Sequence, residues 1–318
     1  MSEKKTIWAE TPFVILIAFI CCFLWGSAFP SIKSGYRIFQ IPSSDTASVL
    51  VFAGVRFFLA GCMVIVAGSF IKKKPLIVRP GGIPCILALC AFQTFGQYYF
   101  FYIGLAHASG VSSSVIEASG TFMTILIAAL IFRTERLSPR KIAGTVIGFA
   151  GVMLIQINGI HQAFSFTLMG EGFILISALL GAFSSSFIKL FSKKYDTVAL
   201  CGYQFMAGGL LLFITGCLSG GHLSVARAGA PGIMLIIYMA FISACAYTLW
   251  GILLSHNPVS RIAVFGFMNP VIGVLLSAII LGEYDQAIRL QSLVALLLVS
   301  LGIIVVNLTG KEKDHVLT

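Results

Sequence analysis

Glu117 is the residue whose type and position point most directly to chemistry. It lies inside an apolar run, with Ser113 before it and Thr121 and Thr124 after it. The spacing i, i+4, i+8, i+11 puts these four polar groups on one face of a helix. A charged side chain within hydrocarbon costs about 2.5–3.5 kcal/mol on insertion scales, so Glu117 must face a wet cavity, pair with a cation or take up a proton. The functional reading is a site for a substrate amine or a proton. The plainer readings are a partner for Arg56 or a position near the outer interface.

Other apolar runs carry polar faces of the same kind. Gln93 and Gln97 stand one turn apart in the third run. Ser243, Tyr247 and Trp250 follow helical spacing in the eighth, and Asn269 in the ninth matches Thr121 in the fourth. As a set they suit the lining of a central cavity; the alternative is interhelical hydrogen bonds, worth about 0.6 kcal/mol each. Trp25 reads equally as a cavity-facing ring or as packing. Tyr98, Tyr99 and Tyr102 divide between an interfacial belt and a gate. Arg56 cannot shed its proton and needs a partner. A structural charge clamp is the stronger reading for it, and a bound anion is the other. Lys33 is close enough to the outer surface to snorkel. Trp8 reads as an interfacial anchor. Glu171 suits a helix N-terminus, while Glu135 and Glu283 close their runs and are expected to cap neighbours or orient loops.

These residues sit in a chain that must live in a bilayer. Of 318 residues, 58% are hydrophobic and 10% charged, against roughly 25% charged in soluble domains. A helix needs about 20 mostly apolar residues to span. Ten such runs are marked, near 13–33, 47–71, 83–105, 111–132, 140–157, 169–190, 197–218, 231–254, 260–282 and 288–308. None alternates as a barrel strand would. The first run is read as a retained span, not a cleaved signal. With the N-terminus inside, sixteen Lys and Arg face the cytoplasm and four (Lys33, Arg37, Arg227 and Arg289) face out, with Arg56 within a span. That bias predicts cytoplasmic termini. The net charge of +10 follows from this placement, and no nucleic-acid partner is expected.

The two halves of the chain echo each other. Leu105-Ala106-His107 leads the fourth run and Leu254-Ser255-His256 the ninth. Glu135 and Glu283 follow at nearly equal distances, Ile32-Lys33 echoes Ile188-Lys189, and Tyr98 matches Tyr247. Five runs per half is an odd number, so the second half enters the membrane inverted. Inverted repeats mark alternating-access carriers with a site near midplane.

Taken together, the motifs resemble the drug/metabolite transporter superfamily, EamA-like branch. Leu24-Trp25-Gly26-Ser27-Ala28-Phe29 with Ile32-Lys33 is similar to its first-span signature, and Gly54-Val55-Arg56-Phe57 to its second-span pattern. Asn269-Pro270 and Leu281-Gly282-Glu283 are similar to elements of its ninth span. The likeness runs from about 13 to 308. It implies an all-α membrane protein of ten transmembrane helices, built as two inverted five-helix repeats (13–157 and 169–308) with both termini cytoplasmic. It also implies a cavity lined by spans 1, 3, 4, 6, 8 and 9, and export of small metabolites such as amino acids. The chain departs from the pattern at Arg133-Thr134-Glu135 and at Phe122, where the second half has Pro270. A mid-membrane helix break is therefore expected only in the ninth span.

The expected protein is a multi-pass secondary transporter of the plasma membrane, with a small-molecule substrate and the lipid bilayer as partners and protons as candidate coupling ion. An anion or sugar-phosphate exchanger of the same fold is the alternative. An intramembrane enzyme is remote, because all five His fall in loops, span edges or the tail and no base faces Ser119. No cofactor or metal is expected; the eight cysteines show no Cys-x-x-Cys or Cys/His spacing. Gly144, Gly148 and Gly151 form a small-residue stripe that favours packing within a monomer over dimerisation.

Overall fold

The computed structural model describes residues 6–42, 44–108, 110–163, 167–281 and 290–307. Every regular element among them is helical. The main helices are α1 (Thr11–Phe39), α2 (Thr46–Ile71), α3 (Pro80–His107), α4 (110–131) and α5 (Pro139–Ala163). They continue as α6 (Leu168–Phe191), α7 (Thr197–Leu218), α8 (Val225–His256), α9 (259–281) and α10 (Leu290–Asn307). Six of them (α1, α2, α3, α6, α7 and α8) are long and apolar enough to cross a membrane, and shorter apolar segments run over Ile116–Ile131, Val259–Gly273 and Leu293–Asn307.

Local chemistry sets the helix ends. Pro12 occupies the first turn of α1, where its missing N–H costs nothing. Asp45 caps α2 by accepting from the Ser48 N–H at 3.0 Å. Asp196 caps α7 by accepting from Val198 and Ala199 at 3.0 and 3.1 Å, and it pairs with Lys72. At α6, Thr167 accepts from Gly170 N–H, and Glu171 accepts from Thr167 N–H at 3.0 Å. That is the helix-start role expected of Glu171. α8 opens with a short turn and breaks at Gly229, whose φ of 57° suits glycine; the long helix resumes near Pro231.

Among the described residues, four helices depart from α geometry in pitch: α4 closes in a π-turn at Ile127–Ile131, α6 opens in one at Leu168–Gly172, and α3 and α9 change along their length. α3 contains a π-turn at Cys90–Gly96, holding Gln93 and Thr94. α9 has a 3-10 segment at Val264–Phe267, just before Pro270. Pro270 has no N–H for the carbonyl one turn back, which loosens the ladder there. α4 stays regular from Gly110 to Leu126, so this break is carried by α9, as expected.

Small residues bring helices into backbone contact. A Cβ at Gly54 of α2 would lie 2.8 Å from the Gly209 carbonyl of α7, and one at Gly209 would lie 2.9 Å from the Gly54 carbonyl. α5 and α10 meet in the same way, through Gly144 and Gly302. The Gly144–Gly151 stripe is thus spent inside this chain. Packing pairs α2 with α7 and α5 with α10. α1 lies on α8 and α9, while α6 lies on α3 and α4. Exchanging each helix for the one five places on reproduces this set of pairs. The outer face is apolar: Leu293, Leu297, Leu301 and Ile304 run exposed along α10, as a lipid-facing stripe does.

One end of the bundle is sewn together by charge. The buried Glu135 after α4 accepts from Ser260 N–H at 2.9 Å and Ser260 Oγ at 2.5 Å, capping α9, and from Lys141 Nζ at 2.9 Å. Arg261 donates to Asn257 Oδ1, the Ala9 carbonyl, Thr11 Oγ1 and Asn307 Oδ1. Trp8 packs edge-on to Phe13 beside that network. The capping expected of Glu135 is present. Glu283, Asp285 and Arg289 lie outside the described residues. The eight cysteines are free thiols, and Cys21 and Cys22 donate to the Ala246 and Phe265 carbonyls.

Candidate functional site

The bundle centre is aromatic. Tyr98 of α3 and Tyr247 of α8, the matched pair of the two halves, are hydrogen-bonded through their hydroxyls. Around them, Trp25 of α1 stands edge-on to Tyr247 and to Trp250, both with centroids at 5.0 Å. Phe57 of α2 lies 4.3 Å from Tyr98, and Phe205 of α7 lies 5.3 Å from Tyr247. Five helices therefore converge on one pair of phenols. Edge-to-face rings are each worth about 0.5–1.5 kcal/mol beyond area burial, so the cluster is stiff as well as apolar.

Two charges flank it. Glu117 on α4 is half-buried and accepts a hydrogen bond from Ser177 Oγ of α6 at 3.0 Å. It lies within electrostatic reach of Tyr247. Arg56 on α2 is 2% exposed. Its Nε donates to Ser243 Oγ of α8 at 2.9 Å, and its guanidinium lies 5.0 Å from the Phe57 ring centroid. Glu117 and Arg56 do not pair with each other, which removes one of the plainer readings of Glu117.

The expected lining residues divide into groups. Trp25, Tyr247 and Trp250 meet at the centre. Thr121 faces the 3-10 segment of α9, where a Cβ at Gly266 would lie 3.3 Å from Thr121 Oγ1. Gln97 lies against Gly181 of α6. Ser113 Oγ, Asn269 Oδ1 and Trp25 Nε1 are buried and make no hydrogen bond among the described residues; Ser186 Oγ and Thr248 Oγ1 share that condition. Buried polar atoms are nearly always bonded, and these five stand out for that reason. Gln93 and Ser243 are committed elsewhere: Gln93 Oε1 accepts from Gln204 Nε2 at 3.0 Å, and Ser243 holds Arg56. Thr124 returns its hydroxyl to the Gly120 carbonyl at 2.8 Å.

Four contributors were not singled out from sequence. Ser177 holds Glu117. Gln204 joins Gln93 and Thr94 across the α3–α7 seam. Phe57 and Phe205 wall the tyrosine pair. A lone Gln in the seventh apolar run was the available signal for Gln204, since polar groups at that depth need partners. Nothing in the pattern distinguishes Phe57 or Phe205 from lipid-facing phenylalanines.

The model of the EamA-like transporter family matches residues 12–157 and again residues 168–308. A protein of Archaeoglobus fulgidus named an uncharacterized transporter is 28% identical, over 89% of this chain and 94% of its own. A probable amino-acid metabolite efflux pump of Salmonella typhimurium is 26% identical, over 88% of this chain and 91% of its own. A probable terminal-alkyne amino-acid exporter of Streptantibioticus cattleyicolor is 23% identical, over 91% and 90%. A solved crystal structure superposes with a TM-score of 0.77 at 18% identity, covering 95% of this chain and 99% of that one, and shares the fold.

Proposed function

The chain belongs to the EamA-like transporter family, and from that premise we propose that it exports small zwitterionic or cationic metabolites, amino acids or related amines, by alternating access. It is a multi-pass integral protein of the plasma membrane and a transporter, not an enzyme. The proposed architecture is ten membrane spans in two inverted repeats, 13–157 and 169–308, with both termini cytoplasmic. The twofold family match and the exchange of packing pairs between halves support it.

One observation carries the reading: the matched residues Tyr98 and Tyr247 are bonded to each other. Equivalent residues touch only on the axis that relates the halves, where a carrier of this design holds its cargo. The aromatic side chains wall this centre, and among the described residues Glu117 supplies the acid within electrostatic reach of Tyr247. An ammonium group suits both features, by ion pairing and by cation–π attraction to Trp25, Tyr247 and Trp250. Relatives named as amino-acid efflux pumps point the same way. No ATP-binding motif is present, so the proposed energy source is a proton gradient, with Glu117 as proton carrier, or exchange. A sugar-phosphate exchanger would draw on Arg56, but a single guanidinium opposite a carboxylate suits a zwitterion better than a dianion.

Counterflow tests the reading. Liposomes holding the purified protein and loaded with an unlabelled amino-acid mixture are expected to accumulate external labelled amino acid transiently. Equal uptake by empty liposomes across all amino acids and amines tried would reject it.

A further inference from the structure

Arg56 presents an energetic problem: it has polar and aromatic neighbours but no acidic partner among the described residues. Its guanidinium stays charged at any physiological pH, and an unpaired charge in a low-dielectric interior is costly. Six of the described residues are acidic, and each is engaged away from it. Glu135 holds Lys141 and Ser260. Asp196 holds Lys72. Asp45 and Glu171 cap helices. Glu117 holds Ser177, and Glu10 is exposed before α1.

The guanidinium is nonetheless held in a defined pose. Ser243 gives its own proton to the Met239 carbonyl at 3.2 Å, which turns its lone pairs toward Arg56 Nε. With Nε fixed on Ser243, the two terminal nitrogens remain; no carboxylate among the described residues meets them, and the Tyr102 hydroxyl is the protein group within their hydrogen-bonding reach. These two nitrogens are the pair that meets a carboxylate through two parallel bonds. Arg56 also lies within electrostatic reach of Tyr98, Tyr102 and Tyr247. Tyr247 is thus within reach of both Arg56 and Glu117. One positive and one negative group, neither paired with the other, flank the central phenols.

We infer that Arg56 is the anchor for the cargo's carboxylate, with Glu117 opposite it taking the ammonium group, so that the two fixed charges select zwitterions. This rests on the transporter reading above. It goes beyond a clamp between α2 and α8, because a clamp has no need of a charged fork.

The test is binding of phenylalanine, phenethylamine and 3-phenylpropionate to purified wild type, Arg56→Gln, Arg56→Lys and Ser243→Ala. Wild type is expected to bind phenylalanine most tightly. Arg56→Gln should lose about 30-fold or more for phenylalanine and little for phenethylamine, which has no carboxylate. Arg56→Lys keeps the charge without the fork and should lose less, again only for ligands with a carboxylate; it also serves if the glutamine variant fails to fold. Ser243→Ala should weaken phenylalanine selectively by misorienting the guanidinium. Equal losses for phenylalanine and phenethylamine in both Arg56 variants, or none for either, would overturn the assignment in favour of a structural clamp. A wild type that binds neither phenylalanine nor phenethylamine would instead reject the amino-acid and amine exporter reading, and the assignment would fall with it.

Discussion

Among the described residues, Ser177 gives Glu117 a hydrogen bond across the α4–α6 seam at 3.0 Å. A hydrogen bond to a charged group contributes about 1.5–3 kcal/mol. Ser177→Ala is therefore expected to weaken binding of an amine-bearing cargo by about tenfold or more while the protein still folds. Isothermal titration in detergent measures this, and unchanged affinity would mean that Glu117 is not held for the cargo. Glu117 itself was legible from sequence, because a carboxylate in an apolar run stands out on cost alone. Tyr247 and Trp250 were legible as a face. The roles of Gln93 and Ser243 were not, because helical spacing tells which residues share a face but not which neighbour that face meets. Gln93 turned out to face Gln204, and Ser243 to face Arg56. Nothing within one helix encodes either partner.

At the level of helices, the caps are the features most open to test. Burial works against ionisation of Asp196, but Lys72 and the N–H groups of Ala199 and Val198 outweigh it and hold the carboxyl below its ordinary range. A depressed carboxyl stabilises the folded state above its unfolded value and loses that effect as the pH falls through the folded value. Asp196→Ala should then cost about 1 kcal/mol at neutral pH. The difference from wild type should persist down to about pH 4 and shrink in stronger acid. Thermal melts of both proteins across pH would show it; a gap that stays constant into acid would contradict it. Helix positions were largely visible in sequence because hydrophobic runs and caps are local. α1 continues past residue 33, where the run was expected to end, to Phe39. Arg37 falls beyond the expected run, yet a helix can project past the apolar layer until a left-handed residue, here Gln40 with φ 55°, stops it. The break in α9 was visible as Pro270. The π-turn at Cys90–Gly96 was not, since one shifted hydrogen bond leaves no mark on composition.

At the scale of the whole molecule, two five-helix segments repeat the same set of packing partners, and their matched tyrosines meet at the centre. Small residues permit this: Gly54 against Gly209 and Gly144 against Gly302 let backbones touch. Under the proposed alternating access, the two halves would move against each other about that centre. The repeat is read from span order, charge bias and the matched His, Glu and Tyr positions, which recur at long range, and the family model matches the chain twice, over 12–157 and 168–308. The cargo was not readable from sequence, because selection rests on where two charges sit relative to a few rings, and that is decided by the packing of helices distant in sequence. The central proposal, a proton-coupled zwitterion carrier with Glu117 as its proton site, meets its most direct test in proteoliposomes. Uptake of an amino acid would be followed with and without an imposed pH gradient, in wild type and Glu117→Gln side by side. The expected result is gradient-driven accumulation in wild type and its loss in Glu117→Gln. Equal accumulation, with equal pH dependence, in the two proteins would contradict it.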